Sequence, residues 1–438
     1  MFKKSILQKM LAVLARATLR RYKPVVVGVT GSVGKTSTRL AVARVLAAKY
    51  RTGTAEKNYN NEIGLPLAIL GIRHEGRNMP RWCMALARAV FKLIVRDSRY
   101  PEVLVLEYGV DRPGDMDYLA RIAPPNVAVV TAVGRIPAHV EFFRDAAEVA
   151  AEKSKLITAL PPEGHAVLNQ DDADVSAMRV GTRADAVSFG TGEHAAVRIM
   201  HYNIFVPRDE TGTALPKGIM LKLSYRGSEV PVRIDGVCGM PYAYAAAAAA
   251  AAGIVLGINL LDIAEALRGY VPPPGRMRLI PGIKHTLALD DTYNASPESV
   301  HAALETLAAI PGGRKIAALG DMREIGIYTE QAHRAVGVRA AGFCDMLLCV
   351  GPAARFIAEE ARAHGMRKNI RHPASDGVFV FDDARAAGRA LEPLLREGDI
   401  VLVKGSQAMR MERLVEEVMA EPERASELLV RQEEYWTR

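Results

Sequence analysis

The sequence predicts an α/β protein in two parts, a larger central domain followed by a smaller Rossmann-like C-terminal domain. Three observations carry this. An apolar β-branched run, Val25–Val29, stops at a glycine loop, and a helical stretch follows. The same alternation of short buried strands and helices restarts after Val271-Pro272-Pro273-Pro274-Gly275, the clearest linker in the chain. In both parts polar residues gather at strand ends, where ligands bind in open α/β sheets.

A chain of 438 residues is long enough for two or three domains, and a hydrophobic content of 49% is ordinary for a globular protein. Cys83, Cys238, Cys344 and Cys349 form no C-x-x-C pair. They argue against a disulfide scaffold and a zinc site, and point to a reducing cytoplasm. The formal net charge of +8 fits nucleic acid, a membrane surface or a polyphosphate substrate alike. No aromatic-lined basic groove is legible, so nucleic acid is not an expected partner.

The basic excess begins at once. Residues 1–23 carry seven Lys or Arg and no acid, with Phe2, Ile6, Met10, Val13 and Leu14 loosely on one side. Charge breaks this segment too often for it to span a bilayer, and no small-residue cleavage site follows. It is expected either to dock as an ordinary first helix or to rest on an anionic membrane.

The strongest signal is V-V-V-G-V-T-G-S-V-G-K-T-S-T at 25–38. Small residues let such a loop wrap closely, its N–H groups point inward, and the following helix N-terminus adds positive potential. The spacing is the short T-G-x-x-G-K-T form rather than G-x-x-x-x-G-K-[ST]. Gly31, Ser32, Val33, Gly34 and Ser37 are the expected phosphate cradle. Lys35 reaches the β- and γ-phosphates, and Thr36 offers its hydroxyl to Mg²⁺. The next polar cluster, Asn58 to Pro66, includes Asn61 as a nucleotide contact. Its amides hold a nucleotide, a substrate or the loop itself.

Residues 81–96 read as a helix with Arg81, Arg88, Lys92 and Arg96 on one face and Trp82, Leu86, Val90, Leu93 and Ile94 on the other. It either packs on the sheet with a solvated basic face or makes a second peripheral membrane contact, over 81–99. Val103–Leu106 is a buried strand with Glu107 at its end, well placed for Mg²⁺ or a bound water. Val127–Thr131 is another strand. His139 and Glu141 follow it, then the helix Ala146–Leu160 with Lys153 and Lys155. Residues 165–235 suggest an antiparallel or mixed extension. Residues 240–261 carry no charge, but eight consecutive alanines are weakly apolar, and Gly253 and Gly257 interrupt the run. A tightly packed core helix is expected there, not a membrane span. After the linker, the strands Leu287–Leu289, Ile316–Leu319, Met346–Val350, Val378–Phe381 and Ile400–Val403 build the second domain. The tail beyond is charged, and helical or frayed.

These motifs resemble the Mur ligase superfamily, the ATP-dependent amide-bond ligases of peptidoglycan synthesis, over roughly residues 24–420. The matches are T-G-S-V-G-K-T-S at 30–37, N-N-E-I-G-L-P at 60–66, E-Y-G with Glu107, and A-H-V-E-F-F with His139. The segments D-D-T-Y-N-A-S-P (290–297), G-D-M-R-E-I-G (320–326) and V-K-G-S (403–406) resemble the C-terminal domain motifs. The family also carries a carbamylated lysine fourteen residues beyond its histidine, a position held here by Lys153. The resemblance implies a P-loop-containing central Mur ligase domain over 24–270 and a ligase domain over 276–438, joined by the linker 271–275.

It further implies ATP and two Mg²⁺ ions, one on Thr36 and Glu107, the other on His139 and an N6-carboxylysine at Lys153. Asp291 and Asn294 are expected to face the nucleotide, Arg276 to reach its phosphates as the domains close, and Lys404 to help bind the amine. The implied reaction adds D-Ala-D-Ala to a muramoyl tripeptide through an acyl phosphate. A related amide ligase with a non-UDP carboxylate substrate, as in cyanophycin synthetase, and a non-catalytic nucleotide-binding scaffold at the cell wall are the alternatives. Two departures bear on this. Only about 24 residues precede the first strand, too few for the family's uridine-binding domain, and Ala243 stands where the family places an Asn near the adenine. The protein is expected to be a cytoplasmic monomer, with possible peripheral contact at the inner face of the membrane.

Overall fold

The structure is a computed structural model, and it describes residues 4–55, 58–76, 78–133, 142–207, 214–366 and 377–432. The chain forms two compact units. One comprises Met1–His201, Leu221–Val232 and Ala243–Tyr270, the other Tyr202–Met220, Arg233–Tyr242 and Val271–Arg438.

The first sheet has nine strands: β1 (Val25–Thr30), β2 (Thr52–Thr54), β3 (Val103–Glu107), β4 (Val127–Val130), β5 (His165–Asn169), β6 (Asp185–Gly190), β7 (Val197–Phe205), β8 (Gly218–Tyr225) and β9 (Ser228–Asp235). Their order is 2-3-1-4-5-6-7-8-9, and every pairing from β2 to β7 is parallel. Strands β1, β3 and β4 are near-continuous Val and Leu because helices cover both faces of a parallel sheet. From β1 the chain crosses to the edge strand β2, returns to β3 beside β1, and then passes to β4 on the other side, which makes the carboxyl end of β1 the switch point. The extension beyond β6 is mixed, as expected. β8 and β9 form a hairpin whose turn, Arg226-Gly227, has positive φ at both residues (48° and 81°).

Helix α1 (Lys4–Tyr22) precedes β1, and α2 (Lys35–Leu46), α3 (Gly64–Leu70), α4 (Met79–Ile94), α5 (Asp115–Ile122), α6 (Ala146–Thr158) and α7 (Ala173–Ala177) lie between or after the parallel strands. Ala12, Ala15, Met116, Leu119, Val149 and Leu156 from these helices pack with Val26, Leu104, Leu106, Ala128 and Val130 of the sheet. The alanine run lies in α8 (Met240–Val255), followed by α9 (Leu260–Arg268). Ala245 to Ala252 are at most 2% exposed, so the run is core, and small residues are what such close packing admits. Arg44 at the end of α2 and the following Tyr50 tie this helix pair down through Ala266 O and Leu256 O. No described helix is long and apolar enough to cross a membrane.

The second sheet orders β10 (Arg278–Gly282), β11 (Thr286–Asp291), β12 (Lys315–Gly320), β13 (Met346–Val350), β14 (Gly377–Phe381) and β15 (Ile400–Lys404) as 10-11-15-12-13-14. All its pairings are parallel except β10–β11. Strand β10 escapes the sequence reading because Pro281 interrupts it, which suits an edge strand. The last strand made, β15, lies between β11 and β12.

Helix α4 departs from its expected two-faced pattern. Trp82 is buried and Leu86 and Leu93 are half-buried, as expected. Val90 and Ile94, expected on the same inward face, are exposed.

Candidate active site

Strand β1 delivers the chain into the glycine loop. Gly31 has φ +145°, and a Cβ there would lie 2.0 Å from Thr131 Oγ1. Gly34, at φ +83°, starts α2 in the left-handed conformation that glycine adopts without strain. Thr131 donates to Val33 O at 2.6 Å, and Ser32 N–H donates to Ala132 O at 2.6 Å. The segment leaving β4 therefore pins the loop from outside. Lys35 Nζ donates to Gly31 O (2.8 Å) and Ser32 O (3.2 Å), which folds its ammonium back over the loop.

Below the loop the groups converge on Glu107, 1% exposed at the end of β3. The Thr36 hydroxyl lies 2.9 Å from Asn58 Oδ1 and 3.1 Å from Glu107 Oε2. Asn60 Nδ2 donates to Glu107 Oε1 at 3.1 Å. Arg39, one helical turn after Lys35, places Nε 3.5 Å from Glu107 Oε2, and its Nη1 donates to Thr54 Oγ1 and Ala55 O, both at 2.5 Å. Two hydrogen-bond donors and a guanidinium hold this buried side chain in place.

The two lysines of α6 separate cleanly. Lys155 Nζ pairs with Asp117 and Glu152, each at 2.7 Å, while Glu152 accepts the N–H groups of Gly114 and Met116. That lysine ties α6 to α5. Lys153 is 3% exposed, and its neighbourhood includes the Lys35 ammonium and the Asp111 carboxylate. Burial, then the positive charge of Lys35, hold its amine well below the ordinary lysine value. His139 lies outside the described residues. Asn61 faces its own backbone: Oδ1 accepts from Gly64 N–H (2.9 Å) and Ile63 N–H (3.2 Å) at the start of α3. The amides beside Glu107 and Thr36 are instead Asn58 and Asn60. Among the described residues no cluster of three or more His, Cys, Asp or Glu side chains is poised to hold a metal.

The second unit gathers its own polar set at the ends of β11 and β15. Lys404 Nζ meets Asp291 Oδ2 at 2.5 Å and donates to Asn294 O at 2.9 Å. Burial lowers its basicity, and Asp291 opposes the shift. Asn294 Oδ1 accepts from Gln407 N–H at 3.4 Å. The Arg276 guanidinium lies over the Tyr293 ring, 4.1 Å from its centroid, and its buried Nε has no hydrogen-bond partner. Arg431 secures the same loop, donating to Thr292 O at 3.2 Å and to Tyr293 O, with Glu412 2.6 Å away.

A profile of the Mur ligase middle domain matches residues 29–79 and 89–253, and one described as Mur ligase, glutamate ligase domain matches 275–407. The UDP-N-acetylmuramoyl-tripeptide–D-alanyl-D-alanine ligase of Mycobacterium tuberculosis (strain CDC 1551) is 30% identical over 419 residues, 90% of this chain and 73% of that protein. The chain belongs to the Mur ligase family.

The Bacillus subtilis enzyme of the same name is 28% identical to this Mur ligase over 411 residues, 93% of this chain and 79% of the relative. The structure of MurF ligase from Thermotoga maritima in complex with ADP superposes with a TM-score of 0.74 at 28% identity, covering 94% of this chain and 83% of that one. This Mur ligase adds details that motif matching passes over. Arg39 was legible in principle, because it sits at i+4 from Lys35 and so shares its helix face. Arg431 was not, because nothing near it in sequence announces a partner 139 residues away.

Asp290 gives this Mur ligase a pH signature. It is fully buried beside Asp291 and accepts from Thr292 Oγ1 (2.6 Å) and Gly275 N–H (2.9 Å). Burial raises its carboxyl from 3.8 to about 6. The folded state therefore holds a proton that the unfolded chain releases between those values, and stability falls as pH rises through that window. The loss is about 3 kcal/mol at neutral pH. Asp290→Asn is expected to raise the melting temperature at pH 7 and to flatten its dependence between about pH 4 and 6. Thermal melts of both proteins across that range check it.

Proposed function

We propose that the protein is an ATP-dependent ligase that joins D-alanyl-D-alanine to the carboxylate of a muramoyl tripeptide in peptidoglycan synthesis. The relatives' names support the substrates, and the Thermotoga maritima ADP complex supports the nucleotide. The observation that carries the chemistry is the phosphate loop with Lys35 and Thr36 set against Glu107 at the end of β3, and the buried Lys153, whose amine burial and the Lys35 charge make less basic, in the same neighbourhood.

A substrate carboxylate oxygen attacks the γ-phosphorus, the bond from phosphorus to the bridging oxygen breaks, and ADP leaves. The dipeptide amine then attacks the acyl carbon, loses its proton and expels inorganic phosphate. Lys35 offsets the charge that builds on the transferring group. Loop N–H groups and the start of α2 orient the β-phosphate. Thr36 Oγ1 and Glu107 Oε2, 3.1 Å apart, are two hard oxygen donors of the kind Mg²⁺ selects. Such an ion would offset the negative charge of the phosphates.

A second ion fits only if Lys153 changes chemically, because a bare amine is a poor Mg²⁺ ligand. Its neutral amine can add CO₂: the N–C bond forms, one proton is released, and a carboxylate on a long stem results. The Lys35 charge that disfavours an ammonium there favours that anion. His139 is proposed for the same ion on the Mur ligase resemblance of A-H-V-E-F-F alone. On the second unit, Arg276 has donor capacity left for an anion, whereas Asp291 engages Lys404 and Asn294 engages Gln407.

The test is phosphate release with ATP, Mg²⁺ and D-Ala-D-Ala, with and without UDP-muramoyl-tripeptide. Release that needs both, with a product heavier by one dipeptide, is the expected result. Release with no dependence on the tripeptide would overturn the assignment of the carboxylate substrate.

A further inference from the structure

Helices α1 and α4 leave an apolar surface that the fold does not cover. On α4 the exposed residues include Met84 (54%), Val90 (44%), Phe91 (61%) and Ile94 (73%). Met84, Ala87, Phe91 and Ile94 follow at intervals of three, four and three, so they form one stripe along the helix. Alongside, α1 exposes Ile6 (46%), Met10 (37%) and Val13 (56%), again one stripe. The two helices belong together: Leu7, Leu11 and Leu14 pack in one cluster with Trp82, Leu86 and Ala89, and Tyr22 OH donates to Lys92 O at 2.7 Å. The inward faces are thus satisfied, and the outward stripes are additional.

The charge bordering these stripes has a single dominant sign. Neither α1 nor α4 contains an acidic residue. Lys9, Arg16, Arg20 and Arg21 on α1 and Arg81 and Arg88 on α4 are exposed. Lys92 faces Asp97 at 3.4 Å, and Arg96 beyond the helix is exposed. Arg88 and Lys92 line a shallow groove with Met84, Ala87 and Phe91. Residues 1–28 and 80–88, which hold α1 and the first half of α4, fall outside the middle-domain match, whereas Phe91 and Ile94 fall inside it.

We propose that α1 and α4 seat the protein on an anionic bilayer, in the plane of the interface. Phe91, Ile94 and Met84 enter the boundary between headgroups and acyl chains, and the flanking Arg and Lys side chains meet lipid phosphates. A bulky apolar stripe edged by cations is what such a surface selects, and a neutral protein partner would leave the cations unmatched. The association is peripheral, because neither helix can cross the membrane. It does not depend on which carboxylate the enzyme ligates.

The experiment floats the full chain with vesicles of phosphatidylcholine alone and of equal parts phosphatidylcholine and phosphatidylglycerol. Wild type is expected to float only with the anionic vesicles and to be released by high salt. Phe91→Ser with Ile94→Ser abolishes flotation, while soluble-substrate turnover and the melting temperature stay unchanged. Arg81→Gln and Arg88→Gln each weaken it about five-fold. Failure to float, or variants that float like wild type, overturns the proposal. A wild-type dimer that Phe91→Ser with Ile94→Ser converts to monomer, without vesicle binding, overturns it in favour of an interface between copies of this chain.

Discussion

Replacing Lys153 with Ala is expected to lower ligation by about 10²–10³-fold while ATP affinity changes only slightly. The side chain is buried beside Lys35 and Asp111 and does not belong to the glycine loop that cradles phosphate. Its removal is therefore expected to spare nucleotide binding and to take away the carbamate proposed to complete the reacting site. Turnover and ATP binding measured on the same preparation separate the two effects. Buffers stripped of CO₂ should slow the wild type, bicarbonate should restore it, and the variant should ignore both. Acidification should act like CO₂ removal, because protonating the amine prevents carbamate formation. A variant with wild-type turnover would remove Lys153 from the chemistry.

Glu107→Gln is the second large effect, and it acts on two properties at once. The amide keeps the shape but loses the charge that matches Arg39 at 3.5 Å, in a pair exposed by only 2% and 1%. Taking a negative charge away from beside a buried cation costs about 3 kcal/mol. Turnover should fall at least 10²-fold, with a higher Mg²⁺ requirement, because a carboxylate oxygen at the end of β3 is gone. Adding Arg39→Met should recover much of the melting temperature and none of the activity. If the double variant regained turnover, the role of Glu107 would be to hold Arg39 and not to hold a metal.

These residues also show how far the sequence could be read. The phosphate loop is legible because its chemistry is local: Gly31, Gly34, Lys35 and Thr36 lie within six residues, and the strand before them fixes their direction. Glu107 is legible because it ends an apolar strand of the sheet that carries the phosphate loop, where ligands bind. Asn61 stood out by composition, yet its side chain caps α3, and the neighbouring Asn58 and Asn60 meet Thr36 and Glu107. Three amides within four residues cannot be ranked without the backbone path between them. Helix α4 failed for a related reason. Its apolar residues outnumber what one buried face can hold, and the period alone does not say which of them turn outward. Strand β10 was missed because Pro281 argues against a strand until the position at a sheet edge is known.

The position of β15 has a consequence for how the protein is made. Strand β11 meets its inner neighbour only through residues 400–404, and the ion pair between Asp291 and Lys404 spans 113 residues. At 5–20 residues per second a ribosome needs roughly 6–23 s to supply them. Once β12 is made, it and β11, later separated by a single strand, both present open edges to solvent or to each other until β15 arrives. A nascent chain that joins them directly would shut out the strand bearing Lys404. The second unit thus has a period of vulnerability during translation in which a chaperone, a pause or a lower temperature decides its yield, whereas the parallel core around β1 to β6 is complete by residue 190.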